Sequence, residues 1–198
     1  MTVDYSRFAV ARIVAPLCWP SMENEQPPTV LRTKRSPRLF WEDFPIGHVM
    51  DFEGRPVSRE AVIAFASQFD PQPFHLDDEA GAASVFGGLC ASGWHTCAMA
   101  MRIMCDGYLL DSSSQGSPGI DNLRWHKPVF PGDTLRLRME ILEARPMNSK
   151  PHIGLLRCRW TMRNQHEQPV LTMEGWAMFG RREVPDDVPI DVPAPAPE

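Results

Sequence analysis

"SGWHTCAMAMRIMCDGYLL", residues 92–110, decides how the rest of the chain is read. Its apolar positions (Trp94, Cys97, Ala98, Met99, Met101, Ile103, Met104, Cys105, Tyr108, Leu109) run nearly all round a helix of 3.6 residues per turn, with Arg102 and Asp106 as the charges. A helix apolar on most faces is a buried one. At 1.5 Å per residue its length of about 17 residues spans about 25 Å, the width of a small domain. It is too short and too charged to cross a bilayer, and no other apolar run reaches membrane length.

Beyond this helix the chain alternates with a period of two. In "TLRLRMEIL" (134–142) Leu135, Leu137, Met139 and Ile141 alternate with Arg136, Arg138 and Glu140. In "GLLRCRWTMR" (154–163) Leu156, Cys158, Trp160 and Met162 alternate with Arg157, Arg159, Thr161 and Arg163. Such alternation marks half-buried antiparallel strands. "NQHEQ" (164–168) is a turn into a further strand, "VLTMEGWAMFG" (170–180), and "DNLRWHKPV" (121–129) supplies an earlier one. "VMDFEGRPV" (49–57) is a strand before any helix. The order is strand, helices, four strands: an α+β class, an antiparallel sheet with one buried helix.

Ahead of the buried helix, Ser58 can cap a helix whose Val62, Phe65, Ala66 and Phe69 share one face. Pro71 ends it, because a residue before proline avoids the α region. Asp77 or Asp78 starts a short second helix, "DEAGAASVF" (78–86), closed by Gly87-Gly88.

The 198 residues suit one domain plus some extra chain. Residues 1–36 mix charge and proline and read as an irregular N-terminal extension; "RFAVARIVAPLCW" lacks a signal-peptide cleavage site and only weakly resembles a transit peptide, and Met22 is an alternative start. Residues 37–183 form the folded domain, and the Pro-rich acidic tail 184–198 is solvated and PPII-like. A net charge of −5 with no basic run argues against nucleic acid as a partner. Five cysteines (Cys18, Cys90, Cys97, Cys105, Cys158) form no CxxC and no even framework, and read as free thiols in a reducing cytosol, a cytoplasmic setting. No cofactor motif and no metal-ligand spacing is present: His126, His152 and His166 are scattered.

Two places can carry chemistry. In "FASQFDPQPFHLDDEAG" (65–81), Asp70 and His75 flank Pro71 and Pro73 beside Phe69 and Phe74. A carboxylate at a helix C-terminus in apolar surroundings is expected to have a raised pKa, suiting proton transfer. The alternative is a plain turn with a packed histidine. In "FGGLCASGWHT" (86–96), the Gly93 N–H at the helix entry can meet a substrate carbonyl as an oxyanion donor; equally, Gly93 can simply allow close packing. His95 is read as a satisfied core histidine, and the methionines of this helix as core.

"EAVIAFASQFDPQPFHLDDEAGAASVFGGLCASGWHT" (60–96), followed by "LRWHKPVFPGDTL" (123–135), resembles the MaoC-like acyl dehydratases, the (R)-specific enoyl-CoA hydratase 2 group. The resemblance covers about residues 38–181. It implies a hot-dog fold, a curved antiparallel sheet wrapped around a long central helix, and homodimers or higher homo-oligomers with the thioester lying near the interface. Asp70 and His75 fall on the family's catalytic acid/base pair and Gly93 on its oxyanion donor; Phe69, Phe74, Ser92 and Trp94 would line the substrate. The implied reaction is reversible syn addition of water to a trans-2-enoyl thioester of coenzyme A or acyl-carrier protein, giving an (R)-3-hydroxyacyl thioester, with coenzyme A entering only as part of the substrate. A hot-dog thioesterase and a non-catalytic acyl-thioester-binding subunit are the alternatives. Two departures stand out: Ser92 occupies a position where family members often carry His, and Trp94 one where a smaller Met is common, so the indole reshapes the acyl pocket. Lys127, Arg124 and Lys150 are candidate phosphate contacts.

Overall fold

The computed structural model describes residues 37–182. The expected N-terminal extension, its alternative start at Met22, Cys18 and the Pro-rich tail lie outside the described residues.

Strand β1 (Val49–Pro56) precedes three helices, α1 (Arg59–Phe69), α2 (Asp78–Ala83) and α3 (Gly93–Gly107), and four strands come after them: β2 (Gly119–Trp125), β3 (Thr134–Met147), β4 (Lys150–Arg163) and β5 (Pro169–Gly180). They make one sheet in the order β1-β3-β4-β5-β2, and every pairing is antiparallel. The element order is the one the alternating patterns predict.

The period of two decides which face is covered. Leu135, Leu137, Met139 and Ile141 of β3 are each 1% exposed, and Leu156, Cys158 and Met162 of β4 are equally buried. Their alternates form a charged outer face. Arg159 sits opposite both Glu140 and Glu174 in the strand registers and pairs with each, at 3.3 and 2.7 Å. Exposed pairs of this kind add little stability, but like charges placed opposite would oppose the register.

Helix α3 lies against the covered face, with Ala100, Ile103 and Met104 in the core together with the β3 and β4 side chains. Burying Ile103 or Met104 stabilises by about 1.5–3 kcal/mol each. The expectation that α3 is buried all round needs correction. Trp94, Ala98 and Met101 form an open stripe at i, i+4, i+7 spacing, with Trp94 60% and Met101 50% exposed. Among the described residues these apolar side chains are left largely uncovered, with Trp125 meeting one edge of Trp94.

The helix signals are met in detail. Ser58 caps α1, its hydroxyl accepting the Ala61 N–H at 3.1 Å, and Asp77 caps α2 through the Ala80 N–H at 2.9 Å. α2 is shorter than predicted and ends before Gly87-Gly88. The Ser84 hydroxyl donates to the Gly81 carbonyl and accepts the Phe86 N–H, so local side-chain bonds displace another helical turn. Residues 164–168 turn as expected, with Glu167 in the left-handed region at φ 57°. Among the described residues no helix is long and apolar enough to cross a membrane.

Candidate active site

The site is built where α1 stops and α3 starts. Pro71 halts α1 and leaves Asp70 as its C-cap, the Asp70 N–H still donating to the Ala66 carbonyl. Pro73 then opens a short 3-10 turn, Pro73–His75. The Gln72 N–H donates to the Asp70 carbonyl at 2.7 Å and the His75 N–H to the Gln72 carbonyl at 2.9 Å. These tight turns bring the His75 ring back toward the helix end, with Nε2 3.5 Å from Asp70 Oδ2. His75 is 5% exposed. Its Nδ1 lies 2.7 Å from the Cys90 carbonyl oxygen. A carbonyl only accepts, so Nδ1 carries the hydrogen, and the neutral ring presents Nε2 as a lone pair. Phe74 supports the ring edge-on at 4.5 Å.

The expected rise in the Asp70 pKa is not found; the shift is downward. The Ser92 hydroxyl donates to Oδ2 at 2.6 Å, and the Gln72 amide donates to Oδ1 at 2.8 Å. The Ser92 bond is the largest influence holding the carboxyl below its ordinary range, with smaller help from Gln72 and from the charge of a protonated His75, and burial opposes them. Both carboxylate oxygens are thus met by donors, which outweighs the helix dipole and the nearby rings.

Ser92 caps α3 through its hydroxyl, which accepts the Trp94 N–H at 3.2 Å. The residue is 0% exposed and does not line the pocket, so its expected place against substrate is not the one found: its hydroxyl holds the Asp70 carboxylate instead. Phe69 is corrected as well. It is 57% exposed, packs on Phe65 at 5.1 Å, and stays outside the pocket, because the end of the α1 stripe has rotated past the edge of the core.

The remaining predicted residues do meet. A cavity of about 410 Å³ is lined by Asp70, Phe74, His75, Gly93 and Trp94, among others. The Gly93 N–H borders it and has no acceptor among the described residues, as expected for a first-turn amide. The packing reason for Gly93 is also real. Trp125 of β2 lies close against it, donating its indole N–H to the Gly93 carbonyl at 2.9 Å. A Cβ on Gly93 would come within 2.7 Å of that indole. Trp125 also meets Trp94 edge-to-face at 5.6 Å. Of the three candidate phosphate contacts, Lys127 lines the cavity, and Arg124 and Lys150 do not.

Trp125 and Gln72 act at this site although the sequence does not mark them as site residues. In the sequence Gln72 reads only as the residue between Pro71 and Pro73, and Trp125 only as part of a strand motif. Cys90 contributes its carbonyl to His75; burial pushes its thiol pKa up, and the four described cysteines are free thiols. His95 is buried as expected but not satisfied: its Nδ1 has no hydrogen-bond partner among the described residues.

A family model described as "MaoC like domain" matches residues 43–154. The chain is 31% identical over 134 residues to the uncharacterized protein YdeM of Bacillus subtilis, covering 67% of this chain and 93% of that protein. The crystal structure of the MaoC-like dehydratase from Rhodospirillum rubrum superposes with a TM-score of 0.66 and 37% identity over 74% of this chain and 99% of that one. Mesaconyl-CoA hydratase of Cereibacter sphaeroides is 38% identical over 74 residues, which is 37% of this chain and 20% of that longer protein. The match to the family model, together with a sheet, helix and loop in the expected places, shows that the chain belongs to the MaoC-like domain family.

Proposed function

We propose that the protein is an enoyl-thioester hydratase/dehydratase that adds water reversibly across a trans-2-enoyl thioester of coenzyme A or acyl-carrier protein, giving an (R)-3-hydroxyacyl thioester. The observation that carries this reading is a pair of proton acceptors, Asp70 Oδ2 and His75 Nε2, 3.5 Å apart in a pocket whose wall includes Gly93, a residue whose N–H has no acceptor among the described residues. The mesaconyl-CoA hydratase similarity supports the same class of chemistry.

In the forward direction one water donates a hydrogen to each of the two acceptors. Its oxygen attacks C3, and the C2=C3 π electrons move onto the thioester oxygen as an enolate. The Gly93 N–H stabilises that charge. His75 Nε2 takes the proton released by the water. Asp70, kept ionised by its donors from Ser92 and Gln72, stabilises the resulting imidazolium. The proton returns to C2 on the same face, restoring neutral His75, and the net change is one water added. Nδ1 stays bonded to the Cys90 carbonyl throughout, so the ring does not turn. Cys90 is a poor nucleophile here, since its thiol is buried and the adjacent His75 nitrogen is already a donor.

Trp94, Trp125 and Lys127 all line the pocket; the two indoles suit an acyl chain, and the lysine suits the phosphorylated carrier. The protein acts as a homodimer. Edge strand β2 exposes Ile120 at 46% and Trp125 at 46%, and with the Trp94–Met101 stripe of α3 it offers an apolar surface that a second copy would cover. Loss of the conjugated enoyl absorbance without thiol release tests the reaction and separates it from thioester hydrolysis.

A further inference from the structure

A second cavity, of about 170 Å³, lies on the opposite flank of α3 from Trp94 and is lined by Arg55, Ser58, Ala61, His95 and Arg102 with apolar neighbours. It shares no lining residue with the pocket around Asp70. Apart from Ser58, whose hydroxyl oxygen already accepts the Ala61 N–H, its polar side chains can donate. Arg55 Nη2 and Arg102 Nε both bond the same oxygen, Asp106 Oδ2, at 2.6 and 3.0 Å. One carboxylate therefore balances two guanidiniums, and one positive charge is left over beside the cavity. Ser58 and Ala61 bring the N-terminal turn of α1, whose amides carry partial positive charge.

His95 is the second, independent sign. It is 7% exposed, with its ring stacked on Phe65 at 4.7 Å and 10°. Nδ1 is sealed off without a partner among the described residues, and Nε2 makes no hydrogen bond to a described residue either. A buried acceptor left bare costs less than a buried N–H left bare, which puts the hydrogen on Nε2, facing the cavity. Buried polar groups are normally satisfied. What would satisfy this one, amid two arginines and a helix N-terminus, is an acceptor bearing negative charge.

We propose that this cavity binds a small oxyanion, a carboxylate or a phosphate, held by the His95 Nε2–H, the Arg55 and Arg102 guanidiniums and the first turn of α1. The site has a mechanical link to the catalytic pocket. His95 stacks on Phe65 of α1, and α1 is capped at its far end by Asp70, about 18 Å along the helix from Ser58; α3 begins at Gly93, two residues before His95. An anion that clamps the α1 N-terminus to His95 fixes the relative placement of the carboxylate and the oxyanion donor.

The test is titration of the full chain with inorganic phosphate and, separately, with acetate, followed by calorimetry and by the NMR signal of the His95 ring. Saturable binding of either anion in the millimolar range or tighter, moving the His95 signal, is expected, and the anion that binds identifies the class. Arg102→Gln and His95→Phe should each weaken it about tenfold, the scale of one hydrogen bond to a charged group, and Asp70→Asn should leave it unchanged. If His95→Phe does not fold, the exposed Arg55→Gln and Arg102→Gln variants carry the test. No saturable binding of either anion, or binding that survives these changes but is lost in Asp70→Asn, overturns the proposal.

Discussion

The Ser92 hydroxyl donates to Asp70 Oδ2 at 2.6 Å across 22 residues of sequence, tying the start of α3 to the end of α1. The same oxygen atom of Ser92 caps α3 by accepting the Trp94 N–H. Ser92→Ala should therefore act twice. Stability should fall by about 1–3 kcal/mol, the combined scale of a helix cap and a bond to a charged group, as read by urea unfolding. The acid limb of the pH–rate profile should move to higher pH, because Asp70 loses the largest influence holding its pKa down. A variant destabilised to this extent with an unmoved acid limb would remove Ser92 from the site.

The sign of the Asp70 effect on stability is set by the same shift. A carboxyl with a depressed folded pKa stabilises the fold above its unfolded value of about 3.9, and that contribution is lost as pH falls through the folded pKa. The stability gap between wild type and Ser92→Ala should accordingly narrow below about pH 4. Unfolding curves across that range read it directly.

Burial likewise depresses the His95 pKa, and Arg55 and Arg102, which line the same cavity, add no favour to a charged ring. The fold should weaken as pH drops below about 6.5, where the unfolded histidine takes up a proton that the folded one resists. His95→Phe should flatten this part of the stability profile. An unchanged slope would mean that His95 is not the group responsible.

Gly93→Ala places a Cβ within 2.7 Å of the Trp125 indole. Overpacking of this kind costs about 1–3 kcal/mol. Adding Trp125→Ala should recover part of that loss in a double-mutant cycle, as expected for residues in contact. Additivity of the two changes would show that the close approach is not felt.

Met101 is half exposed on the α3 stripe. Met101→Glu should yield a monomer by light scattering where the wild type is a dimer, since a charge on an apolar interface leaves an unpaired buried carboxylate. A wild-type monomer, or a dimer indifferent to the change, would contradict the proposed assembly.

Much of the fold is legible in the sequence because its signals are local. The alternation of Leu135 to Ile141 sets a strand face, Ser58 and Asp77 set helix starts, and Pro71 sets a helix end. The resemblance carries Asp70, His75 and Gly93 to one pocket. What is not legible is what joins distant segments. Ser92 reaches Asp70 over 22 residues, Trp125 reaches Gly93 over 32, and His75 reaches the Cys90 carbonyl over 15. Without those donors in view, apolar neighbours and a helix C-terminus point to a raised Asp70 pKa. Helical spacing puts Phe69 on the apolar stripe of α1 and the resemblance puts it against substrate, but neither says where that stripe leaves the core. The exposed stripe of α3 is hidden by a pattern that counts apolar residues without saying what covers them.

The central claim rests on Asp70 and His75 together handling one water. The most direct measurement is the hydration rate of a trans-2-enoyl-CoA, monitored by loss of its conjugated absorbance, for wild type, Asp70→Asn and His75→Gln, each with its fold checked by circular dichroism. Wild type should turn over without releasing thiol, and each variant should lose about 10²- to 10⁴-fold in rate, the scale of general acid–base catalysis. A folded Asp70→Asn or His75→Gln variant hydrating at the wild-type rate, or a wild type that only releases free coenzyme A, would contradict it.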